Sequence, residues 1–359
     1  MDKSFPLRAG FTITAYCGIP GMDEEMSVVK FCEVKEEKIK GAHFVVSQLE
    51  DKIGKCRYVA MKLFDGEVTK TVNAFNPNRG DPEGLTVSML ESMGIEKDCI
   101  LETDIVKNGN FYNIENWKLN TDTSITKADF LNMAPIDPEE TYEQILSAAK
   151  SVDSNPDGTG ECKSLSFLTT RILEENREAF KSSSAAVTMH HNFISGLIYH
   201  TFRMLLQALR LCEIYDHIDK ELLVCATVLH DIGKISSLKT DDIGVATMTS
   251  EGRLLDHALI GVMMVEEEVL KEKSRNNSYD SEKIMMLQHM IASHHGKKEW
   301  DAITTPAFPE AELLHLIDMI DSRMNMFEEA YKGVASGTLS ADRVYGLENS
   351  YIYKPSFVK

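Results

Sequence analysis

The chain has 359 residues, with 56 Asp+Glu against 38 Lys+Arg and a formal charge of −18 at pH 7. Hydrophobic residues make up 43% and charged residues 26%, a balance that excludes collagen-like, coiled-coil and disordered chains and predicts a globular protein of two domains, or one with an appendage. The longest apolar run, 259–265, falls far short of the roughly 20 residues of a membrane span, so no membrane partner is expected, and the acidity argues against a broad nucleic-acid-binding surface. The N-terminus has no apolar core of a signal peptide. The 7 cysteines are scattered, odd in number and form no C-x-x-C, which points to reduced thiols and a cytoplasmic location.

Taken in chain order, the first third reads as short strands. Strands are expected at 28–34, 42–49, 56–63, 100–106 and 111–119. Asp51-Lys52-Ile53-Gly54 reads as a hairpin turn, with Phe64-Asp65-Gly66 as an alternative register. Lys107-Asn108-Gly109-Asn110 reads as another turn, since Asn-Gly accepts positive φ readily. About five strands joined this way suggest a small barrel of OB type, with a generic β-sandwich as the alternative. Arg57, Tyr58, Lys62, Phe64, Phe111, Tyr112 and Trp117 suit a strand-binding face, but the aromatics fit a barrel core slightly better.

Residues 121–160 are expected to be an acidic linker holding one short helix, 138–151, capped by Asp137 and favoured by Glu139 and Glu140 near its N-terminus. From Ser164 onward, apolar residues recur at three- and four-residue spacing. Helices are predicted over 167–180, 193–211, 220–230, 257–271, 281–293 and 309–331. Most of the 18 methionines fall in this half, and Met285, Met286, Met324 and Met326 read as helical core. The expected fold class is α+β: an OB-like barrel at 1–120, the linker at 121–160, an all-α domain at 161–335 and a C-terminal tail at 336–359 packed on it.

Of the 11 histidines, only His43 lies before position 190. Neutral imidazole is the commonest metal ligand, so the clustering raises a metal site against the plainer reading of scattered helical histidines. The decisive string is Leu229-His230-Asp231-Ile232-Gly233-Lys234. A His and an Asp adjacent in sequence share one ion only if the backbone turns between them, and Gly233 is read as allowing that turn. His200 lies on the helix before, His257 begins the helix after, His294-His295-Gly296 follows another helix, and Asp318 sits inside the last long one. This order on successive helices resembles the HD-domain metal-dependent phosphohydrolase superfamily.

One branch is closer still. Met189-His190-His191-Asn192-Phe193 through His200, Met248-Thr249-Ser250-Glu251-Gly252-Arg253 through His257, Gln288-His289 through Lys297, Glu312 through Met326, and the tail Tyr345-Gly346-Leu347-Glu348-Asn349-Ser350-Tyr351 through Pro355 are similar to blocks of the YhaM-type 3′→5′ exoribonucleases. The resemblance implies an all-α HD domain in which His200, His230, Asp231 and Asp318 hold one divalent cation, and His257, His294 and His295 a second, with Asp231 bridging. It also implies an OB module that helps to hold single-stranded RNA.

Two such ions stabilise the attacking and leaving oxygens of a phosphoryl displacement and acidify a bound water. The mixed donor set favours Mn²⁺, with Fe²⁺, Co²⁺ or Mg²⁺ as alternatives, over Ca²⁺. His230, Asp231 and Lys234 are the expected catalytic residues. Lys234, Arg253, Lys297 and His191 are the expected substrate contacts. Asp321, three residues after Asp318, is read as structural or helix-surface, and His217, His289 and His315 as non-ligands.

The expected function is metal-dependent 3′→5′ hydrolysis of single-stranded RNA, or DNA, to mononucleotides. The alternative is a phosphodiesterase for a small nucleotide or cyclic oligonucleotide. A non-enzymatic scaffold is disfavoured because every ligand position is present. Nothing in the sequence opposes a homo-oligomer.

Overall fold

The first unit is organised around one over-long strand. The structure, a computed structural model, describes residues 4–6, 12–14, 28–31, 34, 37–78, 84–109, 111–187, 193–241 and 244–358. It divides into Ile19–Asn132 and a second unit made of Met1–Gly18 with Met133–Lys359. At the start of the chain, β1 (Ser4–Pro6) pairs antiparallel with β2 (Thr12–Thr14).

In the first unit, β3 (Ile39–Ile53) is 15 residues long and bends at two register shifts, between Ile39 and Ala42 and between Val46 and Gln48. A bulge turns a strand and raises its twist. One end of β3 therefore pairs with β4 (Arg57–Phe64) and the other with β6 (Ile100–Asn108). With β5 (Thr69–Ala74), α1 (Val87–Ser92) and β7 (Phe111–Leu119), the strand order β3-β4-β5-β7-β6 closes a barrel. Only β5 and β7 run parallel. This is the expected OB-like barrel. Val46, Val59, Met61, Leu63, Leu101 and Ile105 fill it.

The expected strand at 28–34 is not a barrel strand. Its described residues lie outside β structure, and Phe31 instead plugs the core. Its ring stacks on Phe44 with centroids 4.9 Å apart, and its N–H donates to Asp65 Oδ2 at 2.6 Å. The strand that takes its place is β5. Its sequence, Thr-Lys-Thr-Val-Asn-Ala, buries only Val72 and Ala74, too weak an apolar pattern to register. The turn expected at 51–54 falls later: Asp51, Lys52 and Ile53 still pair with β4, and 54–56 makes the connection, while 65–68, next to the alternative Phe64-Asp65-Gly66, joins β4 to β5.

The second unit is helical: α2 (Pro138–Ser151), α3 (Leu165–Glu175), α4 (Arg177–Ser182), α5 (Gly196–Ile214), α6 (Lys220–Leu229), α7 (Lys234–Ser237), then the hairpin of β8 (Leu238–Thr240) and β9 (Ala246–Met248), α8 (Ser250–Leu255), α9 (His257–Ser274), α10 (Ser281–Ser293) and α11 (Pro309–Lys332). A last pairing joins β10 (Thr338–Leu339) to β11 (Tyr353–Lys354). Asp137 caps α2, accepting from the Glu139 and Glu140 N–H groups at 2.8 and 3.1 Å.

The stretch expected as a linker thus carries a core helix. Tyr142, Ile145 and Leu146 of α2 are buried among Leu168, Leu197, Leu205 and Leu223. The predicted helix at 167–180 is two helices, broken at Asn176, whose side chain donates back to the Ile172 carbonyl at 2.8 Å. Among the described residues, no helix is long and apolar enough to cross a membrane.

Candidate metal centre

Four histidines of the helical unit have an acceptor placed at Nδ1. His230 sits at the C-terminal end of α6 and His294 at that of α10. Each Nδ1 lies against the carbonyl three residues back, Thr227 O at 2.8 Å and Ile291 O at 2.7 Å. A carbonyl only accepts, so Nδ1 carries the proton and Nε2 keeps its lone pair. His200, inside α5, places Nδ1 2.8 Å from Asp321 Oδ2, and His257, the first residue of α9, places its own 3.0 Å from Asp256 Oδ1.

The Nε2 atoms converge. His230 Nε2 lies 3.3 Å from His200 Nε2, and His257 Nε2 lies 3.4 Å from His294 Nε2. Asp231 stands between the pairs. Its Oδ2 is 3.2 Å from His230 Nε2 and 3.7 Å from His200 Nε2. Its Oδ1 is 3.3 Å from His257 Nε2 and 3.7 Å from His294 Nε2. Asp318 Oδ1 adds a further oxygen 3.3 Å from His200 Nε2. Donors held about 2.1 Å from one ion stand roughly 3.0–3.4 Å apart, so the spacing fits cation coordination.

Two donor groups emerge, His200 with His230 and Asp231, and His257 with His294 and His295. Two buried atoms reinforce the fit: among the described residues, Asp231 Oδ1 and His295 Nδ1 have no hydrogen-bond partner, a costly condition unless something else satisfies them.

Burial alone would raise the Asp231 pKa, but Lys234 and His230 outweigh it and hold the carboxyl well below the usual range. The Lys234 ammonium lies 2.6 Å from Asp231 Oδ2. Asp318 is likewise held low against its burial by the His200 ring. Burial pushes His294 and His295 toward the neutral form. His200 goes the other way: burial disfavours its charge, yet Asp318 and Asp321 raise its pKa to about 9.

Gly233 serves a different purpose from the expected one. Its φ of −64° and ψ of −13° are ordinary right-handed values. A Cβ there would collide with the His257 carbonyl and lie 2.7 Å from Gly261 N. Its smallness lets the start of α7 rest on the first turn of α9, which brings His257 to Asp231. Gly296 is the conformational glycine, at φ +78°, and a Cβ on it would strike the His315 ring. His315 in turn donates from Nδ1 to the His294 carbonyl at 2.9 Å.

Of the expected substrate contacts, Lys234 joins the centre. Arg253 is exposed on α8, Lys297 is exposed with its Nζ 4.4 Å over the Trp300 ring, and His191 lies outside the described residues. Asp321 is no surface residue. It is buried, and Oδ1 lies 2.6 Å from Arg203 Nε while Oδ2 meets His200. Its spacing from Asp318 was the available signal, and an Asp directly before His257 was the signal for Asp256.

The barrel unit carries its own cleft, about 420 Å³, lined by Asn73, Phe75, Asn76, Asn113 and Trp117 among others. The aromatics divide between roles. Phe64 is buried in the core, whereas Phe75 and Phe111 are exposed, and Tyr58 stacks on Phe75 with centroids 5.3 Å apart.

The HD domain family matches residues 197–323, which include every candidate ligand. The 3′-5′ exoribonuclease YhaM of Shouchella clausii is 38% identical over 233 residues, 64% of this chain and 67% of the relative. The YhaM proteins of Bacillus subtilis and Oceanobacillus iheyensis are 37% and 36% identical, over 64% and 65% of this chain and 68% and 69% of their own lengths. Identity of this order over two thirds of each relative, together with an HD domain that carries the His/Asp cluster, shows that the chain belongs to the YhaM exoribonuclease family.

Proposed function

We propose that this protein is a metal-dependent 3′→5′ exonuclease that hydrolyses the phosphodiester bonds of single-stranded RNA to mononucleotides. The observation that carries this reading is Asp231, one carboxylate with each oxygen turned to a different histidine pair. His200, His230, Asp231 and Asp318 would hold one divalent cation, and His257, His294 and His295 a second. Their mixed nitrogen and oxygen donors favour Mn²⁺. When bound, the ions supply Lewis acidity toward the phosphate and a water acidified toward neutral pH.

The chain's own residues do the rest. The Nδ1 anchors keep the imidazoles aimed and in one tautomer. Lys234 keeps Asp231 ionised and is near enough to offset charge on a phosphate oxygen. Arg253 and Lys297, both exposed, and His191 are proposed to meet the strand as it enters. The barrel cleft is proposed to rest unpaired bases on Phe75 and Trp117, with its asparagines bonding their edges. None of its described lining residues is basic, so this contact would be stacking rather than phosphate binding. Among the described residues, Cys56, Cys99, Cys162, Cys212 and Cys225 are unbridged, which supports a reducing, cytoplasmic setting.

The test is a 5′-labelled single-stranded oligoribonucleotide incubated with Mn²⁺. The wild type should give a ladder shortening one nucleotide at a time toward the label, and His230→Ala should leave the strand whole. An intact strand with the wild type would overturn the reading, and turnover of small nucleotides instead would move the chemistry to that substrate class.

A further inference from the structure

α8 ends and α9 begins at one residue. Asp256 is the C-terminal cap of the first and the N-terminal cap of the second, so the whole change of direction falls on its backbone. It adopts φ 64° and ψ 152°, a region that side-chain-bearing residues rarely enter and glycine enters freely. A position with this backbone would be better served by glycine unless the side chain has work to do.

The carboxylate has two contacts. Oδ1 accepts from the Ala258 N–H at 2.9 Å, capping α9, and lies 3.0 Å from His257 Nδ1.

The second contact follows from where His257 stands. His230 and His294 close their helices, where carbonyls point outward and supply an acceptor for Nδ1. His257 opens its helix, where the backbone presents N–H donors instead. No carbonyl of that turn is placed to take its proton, so the acceptor has to be a side chain. With Nδ1 held by Asp256, Nε2 is turned to Asp231 Oδ1 at 3.3 Å and His294 Nε2 at 3.4 Å.

We infer that Asp256 is a positioning residue: it keeps a strained backbone in exchange for fixing the tautomer and aim of His257 in the second donor group. This rests on the reading of that group as an ion site.

The experiment compares wild type, Asp256→Gly and Asp256→Asn in the full chain. Equilibrium Mn²⁺ binding is followed by calorimetry, metal-free thermal unfolding is measured alongside, and kcat and KM are measured on the labelled oligoribonucleotide. Asp256→Gly relieves the backbone and removes the acceptor. Its metal-free Tm should match or exceed wild type, while the affinity of one of two Mn²⁺ ions falls 10- to 100-fold and kcat falls with KM little changed. Asp256→Asn keeps an oxygen that accepts from both N–H groups, so it should recover most of the lost affinity.

Wild-type affinity for both ions in Asp256→Gly would reduce Asp256 to a helix cap and overturn the inference. Asp256→Asn as weak as Asp256→Gly would overturn it too. A wild type that binds no Mn²⁺ would instead sink the ion-site reading beneath it.

Discussion

Around the centre, each imidazole is read by its neighbour rather than by its own sequence position. His200 is the one whose protonation matters most, because Asp318 and Asp321 hold its pKa at about 9 despite full burial. A cation needs the neutral ring, so ion binding near neutral pH must expel that proton. Mn²⁺ affinity is therefore expected to climb with pH, up to about tenfold per unit, and to level off near pH 9. Calorimetry in buffers of different ionisation enthalpy should register close to one proton released at pH 7.5. In Asp321→Asn the plateau should move to lower pH, and a plateau unchanged in that variant would show that Asp321 does not hold the proton. The linked effect on the stripped protein has the opposite sign. A raised histidine pKa contributes stability that is full below the unfolded value of about 6.5 and is lost as pH rises through about 9.

At the scale of elements, His230, His257 and His294 arrive at helix ends, His200 and Asp318 arrive from within α5 and α11, and two of the helices meet at one tight approach. Gly233 is where α7 meets α9, and Gly233→Ala would push its Cβ into the His257 carbonyl. Overpacking of this kind costs about 1–3 kcal/mol. The displaced helix would carry His257 away from Asp231. Thermal unfolding should show the loss of stability and metal analysis the loss of one ion, whereas full stoichiometry would mean that α9 can shift without cost to the site.

The longer helices were legible in the sequence, whereas the short α1, α7 and α8 and the break at Asn176 were not. Pro138–Ser151 and Ser281–Ser293 fall on the expected residues because an Asp cap and a clean apolar stripe mark both. The metal-ligand candidates were legible as an ordered series. Side-chain company that depends on tertiary approach showed only as spacing or adjacency, Asp321 under His200 and Asp256 beside His257, and the close approach that requires Gly233 left no trace in the sequence. The strand β5 was hidden for a related cause, since only two of its side chains face the core.

At the largest scale, the described residues form two apolar cores, one in the barrel around Phe44 and Leu63 and one in the helical unit around Leu197 and Leu223. All the proposed ligands belong to the second. A ligand that binds the folded form alone stabilises it by about 2.7 kcal/mol at one hundred times its Kd. Scanning calorimetry with saturating Mn²⁺ should therefore raise the transition of the helical unit and leave that of the barrel in place. A uniform rise of both would show that the units unfold as one. At the centre itself the Lys234 ammonium lies 2.6 Å from Asp231, and the proposed ions would add further positive potential there.

The helix-end placement of His230 and His294 also bears on how such a chain can change over time. One residue inserted into α6 or α10 would advance its histidine by about 1.5 Å and swing it through about 100°, so these helices are locked in length by their last residue. The distance from each helix start to its closing histidine must stay fixed if the donors are to meet.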